Sequence, residues 1–252
     1  MMKRIHALSL VAAALMAVSS CSIYHPQAVD IPLINHAEDV RIDASLGLST
    51  WVLPDVFTLN ATASYGFNDW LAGQAHFNYG GENLYAQLAP GAYFPLGEKA
   101  VVETYVGMGM GGSWRDNISS SNANENDTTT YNHYGYSGHF FLPFVQGNIG
   151  WHDLTAAHID LAFGLKLGAY LPDFDYKKYD ENGDFIAGSD ETYSTANFLV
   201  EPQLMFRIGG ERMKFNVKVG FNWLSDIFGS DSYSGPFTAD LFTISTGFTF
   251  SL

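Results

Sequence analysis

Residues 195–223 read TANFLVEPQLMFRIGGERMKFNVKVGFNW, and this stretch decides the fold. Alternate positions put Phe198, Val200, Pro202, Leu204, Phe206 and Ile208 on one face, against Asn197, Glu201, Gln203 and Arg207 on the other. A period of two belongs to an extended strand, whose successive side chains point to opposite sides. Gly209, Gly210, Glu211 and Arg212 then read as a tight turn. The alternation resumes with Phe215, Val217, Val219, Phe221 and Trp223 opposite Lys214, Asn216, Lys218 and Asn222. A soluble two-stranded ribbon could carry this pattern. Here, however, the polar face bears full charges, the apolar face runs for about ten residues per strand, and bulky aromatics sit near the ends. Those are the marks of strands that cross an outer membrane with lipid outside and a polar lumen inside. The expected fold is all-β: a transmembrane antiparallel up-and-down β-barrel.

Composition agrees. Only 15% of the 252 residues are charged, where a soluble domain has about 25%, and aromatic residues make up another 15%. Mean hydropathy near zero is no objection, because alternating faces cancel in the average. A formal charge of −14 excludes nucleic acid as a partner, since phosphate binding needs clustered Lys and Arg. The single cysteine, Cys21, excludes an intramolecular disulfide.

The N-terminus reads as a targeting signal over residues 1–20. Lys3 and Arg4 precede an apolar core, residues 5–18, that is too short for a spanning helix. Residues 21–39 contain Pro26 and Pro32 without sustained alternation, and are expected to form an extended periplasmic linker. The barrel itself is expected over residues 40–252. Its strands alternate from Val40 onward, as in Phe57, Leu59, Ala61 and Ala63 against Thr58, Asn60, Thr62 and Ser64. About ten strands result, within a range of eight to twelve, and an even count suits a bacterial barrel. The connections at residues 68–70, 95–99, 152–157 and 209–212 are all short. The long insertions near residues 115–137, 172–193 and 224–237 all fall at the alternate connections. Short periplasmic turns and long extracellular loops are the asymmetry expected of such a barrel with its N-terminus in the periplasm.

Two short motifs carry resemblances. Val18, Ser19, Ser20 and Cys21 resemble the bacterial lipobox, which implies that Cys21 becomes a lipidated first residue; ordinary cleavage nearby is the alternative. Thr246, Gly247, Phe248, Thr249 and Phe250 resemble the C-terminal signal read by the barrel assembly machinery, although the chain ends in Leu252 instead of an aromatic residue. With the Tyr- and Gly-rich strands, the mature chain resembles the small outer-membrane β-barrels of Bacteroidetes type. That resemblance implies outer-membrane lipid and the assembly machinery as partners, and implies no particular activity.

The residues expected to face the lumen are Arg41, Asp43, His76, Glu103, Asp160, Lys166, Glu201, Arg207, Lys214 and Lys218. A small barrel is filled by its own side chains, and an unpaired buried charge costs several kcal/mol. An ion-paired plug is therefore favoured over a conducting pore, with Glu201 and Lys218 in contact if the hairpin turn centres on Gly210 and Glu211. Asp180, Asn182 and Asp184 faintly resemble a calcium loop, but Asn182-Gly183 is also a favoured hairpin dipeptide, and the hairpin is preferred. His133, Ser137, His139, Asp173 and Asp175 would lie near the outer rim, where a protease or a lipid-modifying enzyme would need them. No spacing fixes a nucleophile, base and orienting acid together, so catalytic residues, metal and cofactors are not expected. The favoured role is non-enzymatic, in envelope structure or surface interaction through acidic loops. A narrow channel and a surface hydrolase are the alternatives, and the residues specify no surface ligand.

Overall fold

The computed structural model describes residues 22–24, 29–49, 57–123, 129–180, 184–226, 238–239 and 242–252. Ten strands form the barrel: β1 (Val40–Ser49), β2 (Phe57–Gly66), β3 (Leu71–Gly80), β4 (Asn83–Leu96), β5 (Ala100–Ala123), β6 (Thr129–Trp151), β7 (Asp160–Tyr179), β8 (Asn197–Gly209), β9 (Met213–Phe221) and β10 (Phe242–Ser251). Each pairs antiparallel with its sequence neighbour. The ring closes where β10 pairs with β1, Phe248 opposite Ala44. Closure removes the exposed sheet edges of the ring itself.

The burial pattern is the inverse of a soluble protein's. On β2 the polar Thr58, Asn60, Thr62 and Ser64 are buried, while Phe57 and Leu59 are exposed on the outside. On β9 Lys214, Asn216 and Lys218 point inward and Phe215 and Phe221 outward. The outer belt is continuous: Leu46, Leu88, Val106, Met108, Met110, Leu204 and Ile244 are all exposed. From Val102 to Trp114 the outer face of β5 rises about 40 Å at 3.3 Å per residue, or about 30 Å at a barrel's usual tilt. That matches a hydrocarbon core.

The two ends differ. At one, the turn end, the strands are joined by residues 67–70, 97–99, 152–159 and 210–212. At the other, the ribbon end, β5 and β6 remain paired as far as Ala123 opposite Thr129, and β6 stays paired with β7 as far as His133 opposite Tyr179. Two expected loops, at residues 115–137 and 172–193, are therefore largely strand. Between residues 172 and 176 the inward Phe174 and Tyr176 are buried and Asp173 and Asp175 exposed, an alternation too short and too polar to be read from the sequence as a crossing strand. The chain beyond reverses through Asp180 and Asp184, and Glu191–Tyr193 pairs back onto β7.

The hairpin that opened the sequence reading is shifted by two residues. Its connection spans residues 210–212, with Gly209 opposite Lys214, so Lys218 lies opposite Met205. The expected Glu201–Lys218 contact is replaced by others: Glu201 sits across from Lys166, and Lys218 turns to Asp43 and Asp30.

The larger correction concerns residues 21–39. Residues 29–34 are not a linker outside the barrel but lie in its lumen, with Val29, Asp30, Ile31, Leu33 and Ile34 at most 3% exposed. The chain turns at residues 36–38, where Glu38 has a left-handed φ of 66°, and hands over to β1 at the turn end. Further upstream, Ser22–Tyr24 pairs in parallel with Thr238–Ala239, just ahead of β10 at the ribbon end. Cys21 and the signal residues 1–20 lie outside the described residues.

The seam between β10 and β1 depends on Gly247. A Cβ there would lie 2.0 Å from the Ala44 carbonyl oxygen and 2.5 Å from Ser45 Cα, both of them backbone atoms. Gly247→Val should therefore lower the denaturant midpoint of the refolded barrel, at an overpacking cost of about 1–3 kcal/mol. Thr246→Val, one residue along and facing outward, should not. Equal midpoints for the two variants would show that the seam tolerates a side chain.

Candidate functional site

The lumen is the candidate site, and two different materials fill it. Toward the turn end lies the segment 29–34, held by donors from the wall. Each carbonyl in turn accepts a side-chain hydrogen bond: Val29 from Gln203, Asp30 from Gln146 Nε2 at 2.6 Å, Ile31 from Arg207 Nη2 at 2.7 Å, and Pro32 from Arg207 Nη1 at 3.2 Å. Leu33 takes a left-handed φ of 60°, and the Ile34 N–H then donates to Glu103 Oε1 at 2.8 Å. An extended peptide inside the lumen has no strand partner for its backbone, and these side chains supply one.

Charge fixes the same segment. Lys218 Nζ lies 3.0 Å from Asp30 Oδ1 and 2.7 Å from Asp43 Oδ1. The second Asp43 oxygen accepts from Asn216 at 2.7 Å and from Thr249 at 2.8 Å. Removing one partner from so buried a cluster costs about 3–5 kcal/mol, because the remaining charge is left without compensation.

Toward the ribbon end the filling is aromatic. Tyr85, Phe140, Tyr170, Phe174, Tyr136, Tyr176 and Tyr193 pack with Leu142 and Leu199 into one cluster. Tyr85 stacks on Phe140 with ring centroids 5.7 Å apart, and Phe140 meets Tyr170 at 4.9 Å. The wall makes room for them with inward glycines: a Cβ on Gly109 would strike the Tyr85 ring, and one on Gly111 the Phe140 ring. At the boundary Lys166 bridges the two fillings. Its Nζ is 3.5 Å from Glu201 Oε2, 3.0 Å from Gln87 Oε1 and 4.7 Å from the Phe144 ring centroid.

All ten residues expected to face inward lie on the inner wall. Arg41 sits at the turn-end rim, paired with Asp39 at 2.9 Å. Asp43 and Lys218, Lys166 and Glu201, and Asp160 and Lys214 are brought together in pairs, the last at 2.6 Å. His76 Nδ1 lies 2.8 Å from Thr62 Oγ1. Glu103, fully buried, accepts from Asn148 and Tyr105 as well as from Ile34. What the sequence reading missed is Asp30, the acid that couples the segment to the wall. Its signal was visible: one carboxylate within Val29, Ile31, Leu33 and Ile34 is unusual for a solvated linker.

The other sequence candidates lie elsewhere. His139 Nε2 is 3.6 Å from Asp173 Oδ2, and Ser137 faces Asp175 across the strands, all four exposed on the outer face of the ribbon. The side chain of His133 and the whole of Asn182 lie outside the described residues. The Asp180 carboxylate accepts the Asp184 N–H at 2.8 Å, closing a turn. Among the described residues no three His, Cys, Asp or Glu side chains gather as a metal set. Gly247, Phe248 and Phe250 lie on the closing strand, where Phe248 packs edge-on against Phe215 at 5.8 Å.

A cavity of about 360 Å³ opens at the turn end, lined by His36, Asp39, Arg41, Asp153 and Lys214 among others. Burial there would push the Asp153 carboxyl up. The hydrogen bonds from Lys214 and His158 and the Lys214 charge outweigh it and bring it down to about 2. A lowered carboxylate stabilises the fold above its ordinary value of 3.8, and that contribution is lost as pH falls toward about 2.

Two outcomes follow. With Cys21 replaced by Ser, the pair Val29→Cys and Gly164→Cys should form a disulfide in the folded chain, since a Cβ on Gly164 would lie 3.0 Å from a Val29 methyl. A faster-migrating band on non-reducing gels is the readout, and free thiols in the folded protein would show the segment elsewhere. Asp153→Asn should remove part of the loss of stability between about pH 4 and pH 2 that the unmodified chain shows in denaturant titrations. An unchanged acid limb would place the loss in other carboxylates.

No protein-family model matches the sequence, and no curated protein aligns with it significantly. Among solved structures the chain is similar to the NanC porin, at 11% identity over 86% of this chain and all of that one, with a TM-score of 0.35. It is also similar to in-vitro-folded OmpT, an outer membrane protein of Vibrio cholerae, at 10% identity over 85% of this chain and 97% of that one, with a TM-score of 0.21. OmpT of the same organism expressed in the outer membrane gives 9% identity over 90% of this chain and 100% of that one, with a TM-score of 0.20. At such identities the likeness does not reach activity.

Proposed function

We propose that this chain is a closed outer-membrane β-barrel with a non-enzymatic role in envelope structure or surface interaction. The turn end faces the periplasm and the ribbon end the exterior. On this reading Cys21 is the lipidated first residue of the exported chain, and Thr246, Gly247, Phe248 and Phe250 belong to the strand handed to the assembly machinery. The surface offered outward is the three-stranded ribbon, with its acidic edge of Asp173, Asp175, Asp190 and Glu191 set against Lys177 and Lys178.

One observation carries the reading: the lumen is filled along its length, by residues 29–34 at one end and by the Tyr and Phe cluster at the other. A conducting pore needs a continuous polar path wide enough for water, and here carbonyls, ion pairs and rings occupy that path. The outward apolar belt, about as tall as a hydrocarbon core, supports the membrane location.

Planar-bilayer recording of the refolded full chain tests this. Silent membranes, with insertion verified by heat-modifiable migration, are the expected result. Discrete steps that change when Lys218 is replaced by Met would establish a channel instead.

A further inference from the structure

The path of the N-terminal segment through the barrel runs in one direction. Val29 meets Gln203 and Ile31 meets Arg207, four residues closer to the turn end of β8. Asp30 meets Gln146, while a Cβ on Gly150, nearer the turn end of β6, would strike Leu33. The segment then reaches the turn-end rim at His36 and reverses into β1. Followed backwards, it climbs away from the turn end rung by rung. Its upstream neighbour, Ser22–Tyr24, runs parallel to Thr238–Ala239 on the approach to β10, Ser22 opposite Thr238 and Tyr24 opposite Ala239. β10 itself descends from the ribbon end to the turn end. The chain therefore passes downward at the ribbon rim and is still passing downward at mid-lumen. The interval from Tyr24 to Val29 can span at most about 17 Å fully extended, enough to join rim to mid-lumen.

We infer that the polypeptide is threaded through its own barrel, so that Ser22–Tyr24 stand on the ribbon face, across the membrane from Val40. This rests on the reading of the barrel as a membrane protein with its ribbons outside. It reverses the assignment that the order of strands alone would give: the first barrel strand starts at the turn end, but the chain that feeds it arrives from the opposite side. An acyl chain attached upstream of Ser22 would accordingly enter the outer leaflet, where the ribbons stand, and not the periplasmic leaflet. The partner implied for the N-terminus is thus the lipid of the exterior leaflet, and residues 29–34 are the part of the tether seated in the lumen.

The filled lumen adds a constraint on assembly. Once β10 has paired with β1, the ion pairs, the bonded carbonyls and the aromatic cluster leave no opening through which a chain could be drawn. The segment must be in place while the seam is open, and the wall closes around it.

The test uses three full-length chains, each with one short hydrophilic epitope: between Cys21 and Ser22, between Gly188 and Ser189 at the ribbon end, or after Glu211 at the turn end. Antibody binding is compared on intact cells and after the outer membrane is permeabilised. The Ser22 epitope should behave as the Ser189 epitope does, bound on intact cells, while the Glu211 epitope gains signal only on permeabilisation. A Ser22 epitope that tracks Glu211 overturns the threading. If Glu211 is bound on intact cells while Ser22 and Ser189 are both hidden, the threading stands and the orientation proposed above falls. If Ser189 and Glu211 behave alike, the membrane reading fails and takes the inference with it. The Val29→Cys and Gly164→Cys crosslink, introduced into the Ser22-epitope chain together with Cys21→Ser, checks that the insertion has not unseated the segment; its loss together with a hidden epitope counts against threading.

Discussion

Charge turned inward is the constraint from which the rest of this structure follows. A ring of hydrogen-bonded strands satisfies its own backbone, and its outer face is given to apolar side chains. Lys166, Glu201, Arg207, Lys214 and Lys218 are left with a narrow interior in which an unpaired charge costs several kcal/mol. Lys166 finds Glu201 on the neighbouring strand, and Lys214 finds Asp160 one strand further round the wall. Arg207 donates to the carbonyls of Ile31 and Pro32, and Lys218 divides itself between Asp43 and Asp30. Take the segment away and Arg207, Gln203, Gln146 and Lys218 all lose acceptors at once. The wall needs the segment as much as the segment needs the wall.

What was legible in the sequence was whatever has a period. β2, β8 and β9 alternate so strictly that each inward polar residue could be named from its position, and the alternation gave about ten strands, with the short connections falling at one end. What lacked a period was misplaced. The ribbon portions of β5, β6 and β7 read as loops, because their Ser, Asn, Thr and acidic residues leave no long apolar face to mark them. Residues 29–34 read as a linker, because a chain wrapped on all sides by a lumen has no alternate face either. The hairpin register slipped by two because the turn centres on Glu211 and Arg212 instead of Gly210 and Glu211, and a strand's facing survives such a slip while its cross-strand partners do not. That is why Glu201 and Lys218 were each expected to be buried and paired, correctly in kind, yet were assigned to one another.

The candidate site shows the same division. Asp43, Asp160 and Lys166 could be placed inside one strand at a time. The segment that brings Asp30 to Lys218 could not, because a contact between residues 30 and 218 depends on closure of the whole ring and on a chain lying inside it. The aromatic half of the lumen was hidden for a related reason: on β6, Phe140, Phe141, Leu142 and Phe144 are apolar at both parities, and only the inward glycines of β5 beneath the rings of Tyr85, Phe140 and Phe144 show which of them turn in.

Closure of the barrel and seating of the segment meet in one cluster of side chains. Asp43 belongs to the first strand, Thr249 to the last, Asn216 and Lys218 to the one before it, and Asp30 to the segment within. The Asp43 carboxylate accepts from residues on each of the last two strands while sharing the Lys218 ammonium with Asp30. If the seam formed without the segment, Lys218 would keep one of its two acids and Arg207 would be left facing an empty lumen. If the segment entered without the seam, Asp30 would have a cation whose other partner had not yet arrived. Neither half-assembled state balances its buried charge, so the two events stabilise one another, and the low-energy route is one in which the last strand zips against the first with residues 29–34 already between them.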